Sequence, residues 1–65
     1  MSSVFVVEVR DYFVWRVATV PALPGCFVQG VPSTLVSDVR DAVGAYLGLS
    51  GEEVDRLAFE FVSVE

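Results

Sequence analysis

The chain has no histidine, a single cysteine, and only four basic residues, all arginine, among its 65 residues. Each shortage excludes something. Without histidine, and with one thiol, no four-ligand zinc site of the usual sulfur and nitrogen kind can be built within one chain. An internal disulfide is excluded as well. Cys26 has no histidine or nearby lysine to lower its pKa, so it reads as a small buried hydrophobe and not as a nucleophile. Nine acidic residues against the four arginines leave a net charge of −5, the wrong sign for gripping phosphates. Long apolar runs are also missing. Glu8, Arg10, Arg16 and the prolines interrupt them, and none approaches the ~20 residues that span a bilayer. The uncharged run Ser2–Val7 lacks the basic flank of a secretory signal. These absences lead to the expectation of a cytosolic, non-enzymatic domain with no cofactor and no metal, binding neither nucleic acid nor membrane.

What is present is apolar residue in excess. Hydrophobic residues make up 54% of the chain and charged residues only 20%, above the roughly 45–50% apolar share of ordinary globular domains. A domain this small buries only about 60% of the surface its unfolded chain exposes. Small scaffolds close that gap with a disulfide, a metal or a partner. The first two being excluded, the composition predicts a partner: a second copy of the chain, as a homodimer or higher homo-oligomer, or another protein of basic character.

No linker, repeat or low-complexity tract divides the sequence, which reads as one domain over residues 1–65. Val4–Arg10 alternates as a strand, with Phe5, Val7 and Val9 on one side and Val4, Val6, Glu8 and Arg10 on the other. Phe13–Val20 reads as a second strand, with Asp11 and Tyr12 in the turn. Facing the apolar sides of both strands toward one core predicts that Val9 pairs with Trp15, which sets Glu8 opposite Arg16. Cys26–Gly30 reads as a third, short strand after the turn Pro21–Gly25. Leu35, Val36, Val39, Val43, Tyr46 and Leu47 then recur at helical spacing as one apolar stripe, with Ser37, Asp38, Arg40, Asp41 and Gly44 opposite. Pro32 suits the first turn, Ser33 or Thr34 the N-cap, and Gly48 a left-handed stop. Ser50–Glu53 has capping-box spacing and predicts one more helical turn. Ala58–Val64 alternates again as a last strand. The expectation is a two-layer α/β (α+β) domain of order β-β-β-α-β, with one helix on a small, mostly antiparallel sheet.

The run Pro21-Ala22-Leu23-Pro24-Gly25-Cys26, followed by Gly30, Ala42-Val43 and Tyr46-Leu47, resembles the HicB family. These are the antitoxins of HicA–HicB toxin–antitoxin pairs and their solitary relatives. The family pattern is a Pro-x-Leu-Pro-Gly-Cys segment, a glycine a few residues on, and a helix that carries an alanine and ends near tyrosine-leucine. Ala22, Val28 and the stretch Val31–Leu35 depart from it, as does the absence of an Asp-Gly-type turn at Asp11-Tyr12. The resemblance implies sheet order 3-2-1-4 with the last strand parallel to the first. It also implies binding to a small basic HicA-like ribonuclease toxin, whose surface the antitoxin occludes. Members commonly carry a C-terminal DNA-binding segment, and this chain, ending at Glu65, is expected to lack one.

One helix covers one side of such a sheet. The other side is expected to hold Val4, Val6, Val14, Arg16, Glu60 and Val62, and these six are the candidate protein-binding residues. An apolar patch of several hundred square ångströms usually marks an interaction site. Three other features read as structural. Asp38 and Asp41 lie on the polar side of the helix. Glu52, Glu53 and Asp55 sit in a helix-starting turn that favours acids. Neither group has the convergence that a metal nuclease, of the RNase H-like sort to which the family fold has been likened, requires. Tyr12, Phe13 and Trp15 beside Arg10 and Arg16 imitate a base-stacking surface, but Trp15 is expected to face the core and Arg16 to pair with Glu8. A self-associating structural or regulatory module without a toxin is the alternative reading, and a degenerate RNase H-like metal nuclease the third.

Overall fold

A computed structural model describes residues 4–64; Met1–Ser3 and Glu65, including the Ser2-Ser3 start of the uncharged N-terminal run, lie outside the described residues. The elements in chain order are β1 (Val4–Tyr12), β2 (Trp15–Thr19), β3 (Phe27–Gly30), α1 (Leu35–Leu47), α2 (Gly51–Asp55) and β4 (Ala58–Ser63). The strands form one sheet in the order β3-β2-β1-β4. β1 runs antiparallel to β2 and parallel to β4, and β2 runs antiparallel to β3. The expected two-layer architecture and strand order are therefore those of the molecule.

The core lies between α1 and one face of the sheet, where Val7, Ala18, Val20, Leu23, Cys26, Leu35, Val39 and Val43 form one buried cluster. Phe5, Val9, Val28, Ala42, Leu57 and Phe59 pack around it, half-buried. The helix starts after Thr34, whose hydroxyl donates to Asp38 Oδ2 at 3.0 Å and caps no backbone amide. It stops at Gly48, which takes φ 68° while its N–H donates to the Ala45 carbonyl. That left-handed stop is the one expected of a glycine. Ser50 and Glu53 form the reciprocal capping box of α2: the Ser50 hydroxyl accepts from the Glu53 N–H at 3.3 Å, and the Glu53 carboxylate accepts from the Ser50 N–H at 3.0 Å.

The pairing of β1 with β2 corrects the expectation. Val9 lies opposite Ala18, Asp11 opposite Arg16 and Tyr12 opposite Trp15, so Val9 does not meet Trp15 and Glu8 meets Thr19. The turn is Phe13-Val14, with Phe13 at φ 62°. A bulky residue in that region is an uncommon choice, because it usually belongs to glycine, asparagine or aspartate. Without such a residue to mark it, the turn is misplaced by two positions when read from sequence. The partner of Val9 moves by three residues, from Trp15 to Ala18, and an odd slip exchanges the two faces of a strand. Ala18 and Val20 go into the core, while Trp15, Val17 and Thr19 go to the other face. The phase is set downstream, where the Val20 N–H donates to the Cys26 carbonyl at 3.0 Å and closes the Pro21–Gly25 loop with Val20 pointing inward.

Smaller differences have similar local causes. Cys26 precedes β3 instead of opening it, and Val64 follows β4 although its N–H still donates to the Val9 carbonyl at 2.9 Å. Gly44 was expected on the polar side of the helix but is buried, because α2 packs there: a Cβ at this position would meet Val54 Cγ2 at 2.6 Å. Val36, Tyr46 and Leu47, at the margins of the apolar stripe, remain exposed.

Candidate functional site

The sheet face opposite α1 carries Val4, Val6, Glu8, Arg10 and Tyr12 from β1, then Trp15, Val17 and Thr19 from β2. Phe27 and Gln29 come from β3, and Ala58, Glu60 and Val62 from β4. No described element covers it. Alternation forces the arrangement, since Val7 is fully buried while its chain neighbour Val6 is 41% exposed. Along the strands the face has three zones. Val4, Val6 and Ala58 make an aliphatic end, with Glu60 directly opposite Val6. The middle mixes Glu8, Arg10, Thr19 and Gln29 with Val17, Phe27 and Val62. Tyr12 and Trp15, a cross-strand pair, make an aromatic end that runs into the hairpin tip.

Of the six expected binding residues, Val4, Val6, Glu60 and Val62 lie together on this open face. Val14 and Arg16 do not. Val14 is in the hairpin turn, and Arg16 belongs with Ala18 and Val20 on the helix side, where its Nε donates to Asp11 Oδ1 across the β1–β2 pair. The register slip accounts for both corrections, and for the loss of the expected Glu8–Arg16 pair. It also moves Trp15 from the core to the open face, so one argument against a base-stacking role falls. The acids Glu8 and Glu60 on the same face, and the net charge of −5, still oppose nucleic acid.

The aromatic residues show what sequence reasoning missed. None of the five phenylalanines, two tyrosines or the tryptophan is among the buried residues. The hairpin tip is the extreme case: Phe13, at positive φ, is 107% exposed, between Tyr12 and Val14, which are also exposed. Left-handed backbone costs a residue with a Cβ roughly 1–2 kcal/mol, and such strain concentrates at functional positions. The absence of a glycine or asparagine between two β-rich runs was the available signal for it.

The residues that carry the family resemblance sit elsewhere and hold the fold. The Tyr46 hydroxyl donates to the Pro24 carbonyl at 2.8 Å, tying the end of α1 to the Pro21–Gly25 loop. Gly25 takes φ 81°, and Leu23 and Cys26 are buried in the core. Gly30 leaves room for Asp38, whose Oδ2 would lie 2.8 Å from a Cβ there. Burial pushes the Cys26 thiol pKa up, which leaves it a poor nucleophile. The Glu53 carboxyl is held below its ordinary range by the Ser50 backbone and hydroxyl hydrogen bonds.

Two depressions flank α1. A groove of about 380 Å³ between α1 and α2 is bordered by Gly44, Val54 and the ion pair Arg40–Asp55, whose Nη2 and Oδ1 are 3.2 Å apart. A smaller one of about 200 Å³ lies between the start of α1 and the ends of β1 and β4, near Arg16 and Phe61. Among the described residues no group of three or more cysteine or acidic side chains gathers as metal ligands. Among the same residues no helix is long and apolar enough to cross a membrane. No family model matches the chain, and neither a curated protein nor a solved structure does.

Proposed function

We propose that this chain is a HicB-like protein-binding domain, an antitoxin that neutralises a small basic ribonuclease of the HicA kind by covering its surface. The observation that carries the reading is the open sheet face with its strained aromatic tip. Val4, Val6 and Val62 neighbour Glu60 there, and Glu8 and Glu60 outnumber the one arginine of the face, Arg10, which makes an acidic and greasy surface suited to a basic, partly apolar partner. In such a complex the charge speeds encounter while apolar burial slows dissociation. Trp15, Tyr12 and Phe13 are the side chains best suited to anchor it, since aromatic residues dominate interface energetics. The motif from Pro21 to Tyr46, which ties loop to helix, supports the family reading through the fold and not through the contact surface.

The test is whether a neighbouring gene encodes a small, basic, histidine-containing protein and whether that protein co-purifies with this one, followed by an assay of its ribonuclease activity. Association at micromolar concentration with loss of ribonuclease activity is expected. Phe13→Gly is the informative variant: it relieves backbone strain, so it raises the melting temperature, while removing an anchor weakens binding by tenfold or more. A domain that fails to bind, or one whose binding Phe13→Gly leaves untouched, removes the reading. The alternative, a self-associating module with no toxin, draws support from the free edge of β4.

A further inference from the structure

The sheet ends at β4 in a lightly protected edge. Natural edge strands are kept short, broken by proline or a bulge, or guarded by lysine. β3, the opposite edge, has four residues and is followed closely by Pro32. β4 has six, Ala58-Phe59-Glu60-Phe61-Val62-Ser63, with no proline, no glycine and one charge. The backbone of α1 packs over β3 and β2, and that of α2 against α1, leaving β4 uncovered. The Val64 N–H is directed at β1, where it bonds the Val9 carbonyl. Backbone groups alternate along a strand, so those of Phe59, Phe61 and Ser63 point outward, without a partner among the described residues.

We infer that this edge pairs antiparallel with β4 of a second copy, joining two sheets into one of eight strands about a twofold axis. An antiparallel strand laid against its own image is an isologous contact, which closes on itself. Outward-pointing residues must face outward-pointing residues, and that leaves few registers. An axis at Glu60 sets two carboxylates directly opposite one another, which is unfavourable. An axis at Val62 shortens the overlap. An axis at Phe61 pairs the full strand: Phe61 with its own image, Phe59 with the second copy's Ser63, and Glu60 with the second copy's Val62. About six backbone hydrogen bonds form in that register.

The side chains favour the same choice. On the helix side, Phe5 and Phe59 stack with ring centroids 6.1 Å apart, and Phe59 and Phe61 lie 6.4 Å apart. Phe59 and Phe61 both lie on the edge strand β4, and Phe61 is the more exposed of the two, at 38%. Pairing at Phe61 continues the row across the axis onto its own image. A second copy of this chain presents a matching phenylalanine at the matching height.

The inference does not depend on a toxin, because it uses an edge and not the open face. Ser63→Pro removes an outward N–H from an exposed position and leaves the β1–β4 hydrogen bonds in place. The wild-type chain is expected to sediment as a dimer at high micromolar concentration. Ser63→Pro is expected to sediment as a monomer with an unchanged far-UV spectrum and undiminished toxin binding. The double variant Glu60→Cys/Val62→Cys supplies a readout that does not require the proline variant to fold. Positions 60 and 62 of two copies face each other as a non-hydrogen-bonded pair, so mild oxidation links the copies, whereas Glu60→Cys alone links poorly. A wild-type chain that stays monomeric overturns the inference. So does a dimer that survives Ser63→Pro and gives no cross-link through positions 60 and 62.

Discussion

The two faces of this sheet are built from similar residues and meet opposite fates. Toward α1 stand Val7, Ala18, Val20 and Val28, interlocked with Leu35, Val39 and Val43. Away from it stand Val4, Val6, Val17, Val62, Tyr12, Trp15 and Phe27, with nothing over them among the described residues. Directly beneath α1 the covered face uses small and medium side chains, with Phe5, Phe59 and Phe61 set to the β4 side, while the open face takes Tyr12, Trp15 and Phe27. Hydrophobicity therefore does not decide which face becomes core. One thirteen-residue helix covers a limited width of sheet, and close approach beneath it favours Ala18 and valines over tryptophan. The bulky remainder stays on the open face.

Substitutions at neighbouring positions break or sharpen that contrast. The largest difference is expected between Val7 and Val6. Val7→Ala, in a fully buried site, costs about 2–3 kcal/mol through lost transfer and cavity terms. Val6→Ala costs under ~0.5 kcal/mol, as a surface change does. Urea titrations of both variants check this, and equal losses would mean that both faces are buried in the folded chain.

Ala18→Val tests the β2 register next. Overfilling a closed core costs about 1–3 kcal/mol, whereas Trp15→Ser on the open face is expected to shift the urea midpoint little. The reverse ranking would restore the pairing of Val9 with Trp15. Gly44→Ala follows: the gain in helix propensity, about 1 kcal/mol, is outweighed by the clash with Val54, for a net loss of about 1 kcal/mol. Thermal denaturation reads this directly. Phe13→Gly is expected to gain about 0.5–1 kcal/mol, the relief of left-handed strain less the added freedom of the unfolded chain.

The smallest effect is one of pH. The Glu53 carboxyl, lowered by its Ser50 hydrogen bonds, strengthens α2 above the ordinary carboxylate range. That contribution is lost as pH falls through its depressed folded value. Glu53→Gln keeps an acceptor for the Ser50 N–H and is expected to flatten the acid side of the melting-temperature profile. An unchanged profile would place the acid sensitivity elsewhere.

Much of this molecule is legible because short-range chemistry sets it. Gly48 stops α1, Ser50 and Glu53 start α2, and the alternation of 4–10 and 58–63 marks strands, all without reference to distant residues. Four of the six expected surface residues share the open face for the same reason, since they lie on β1 and β4, whose alternation is unambiguous. Val14 and Arg16 are misplaced because their face depends on a turn that Phe13 makes against its own preference. Gly44 is misplaced because only the return of α2 makes that side of the helix an interior.

By itself the sequence determined the elements, their order, the acid excess and the surplus of apolar residue over what one helix can cover. Tertiary structure alone decided which side of β2 meets the core. Strand periodicity is two, so a single odd slip satisfies local alternation equally well while exchanging every side chain. The choice was made where Val20 and Cys26 close the proline-rich loop over the helix, and that contact put Ala18 inside and Trp15 out.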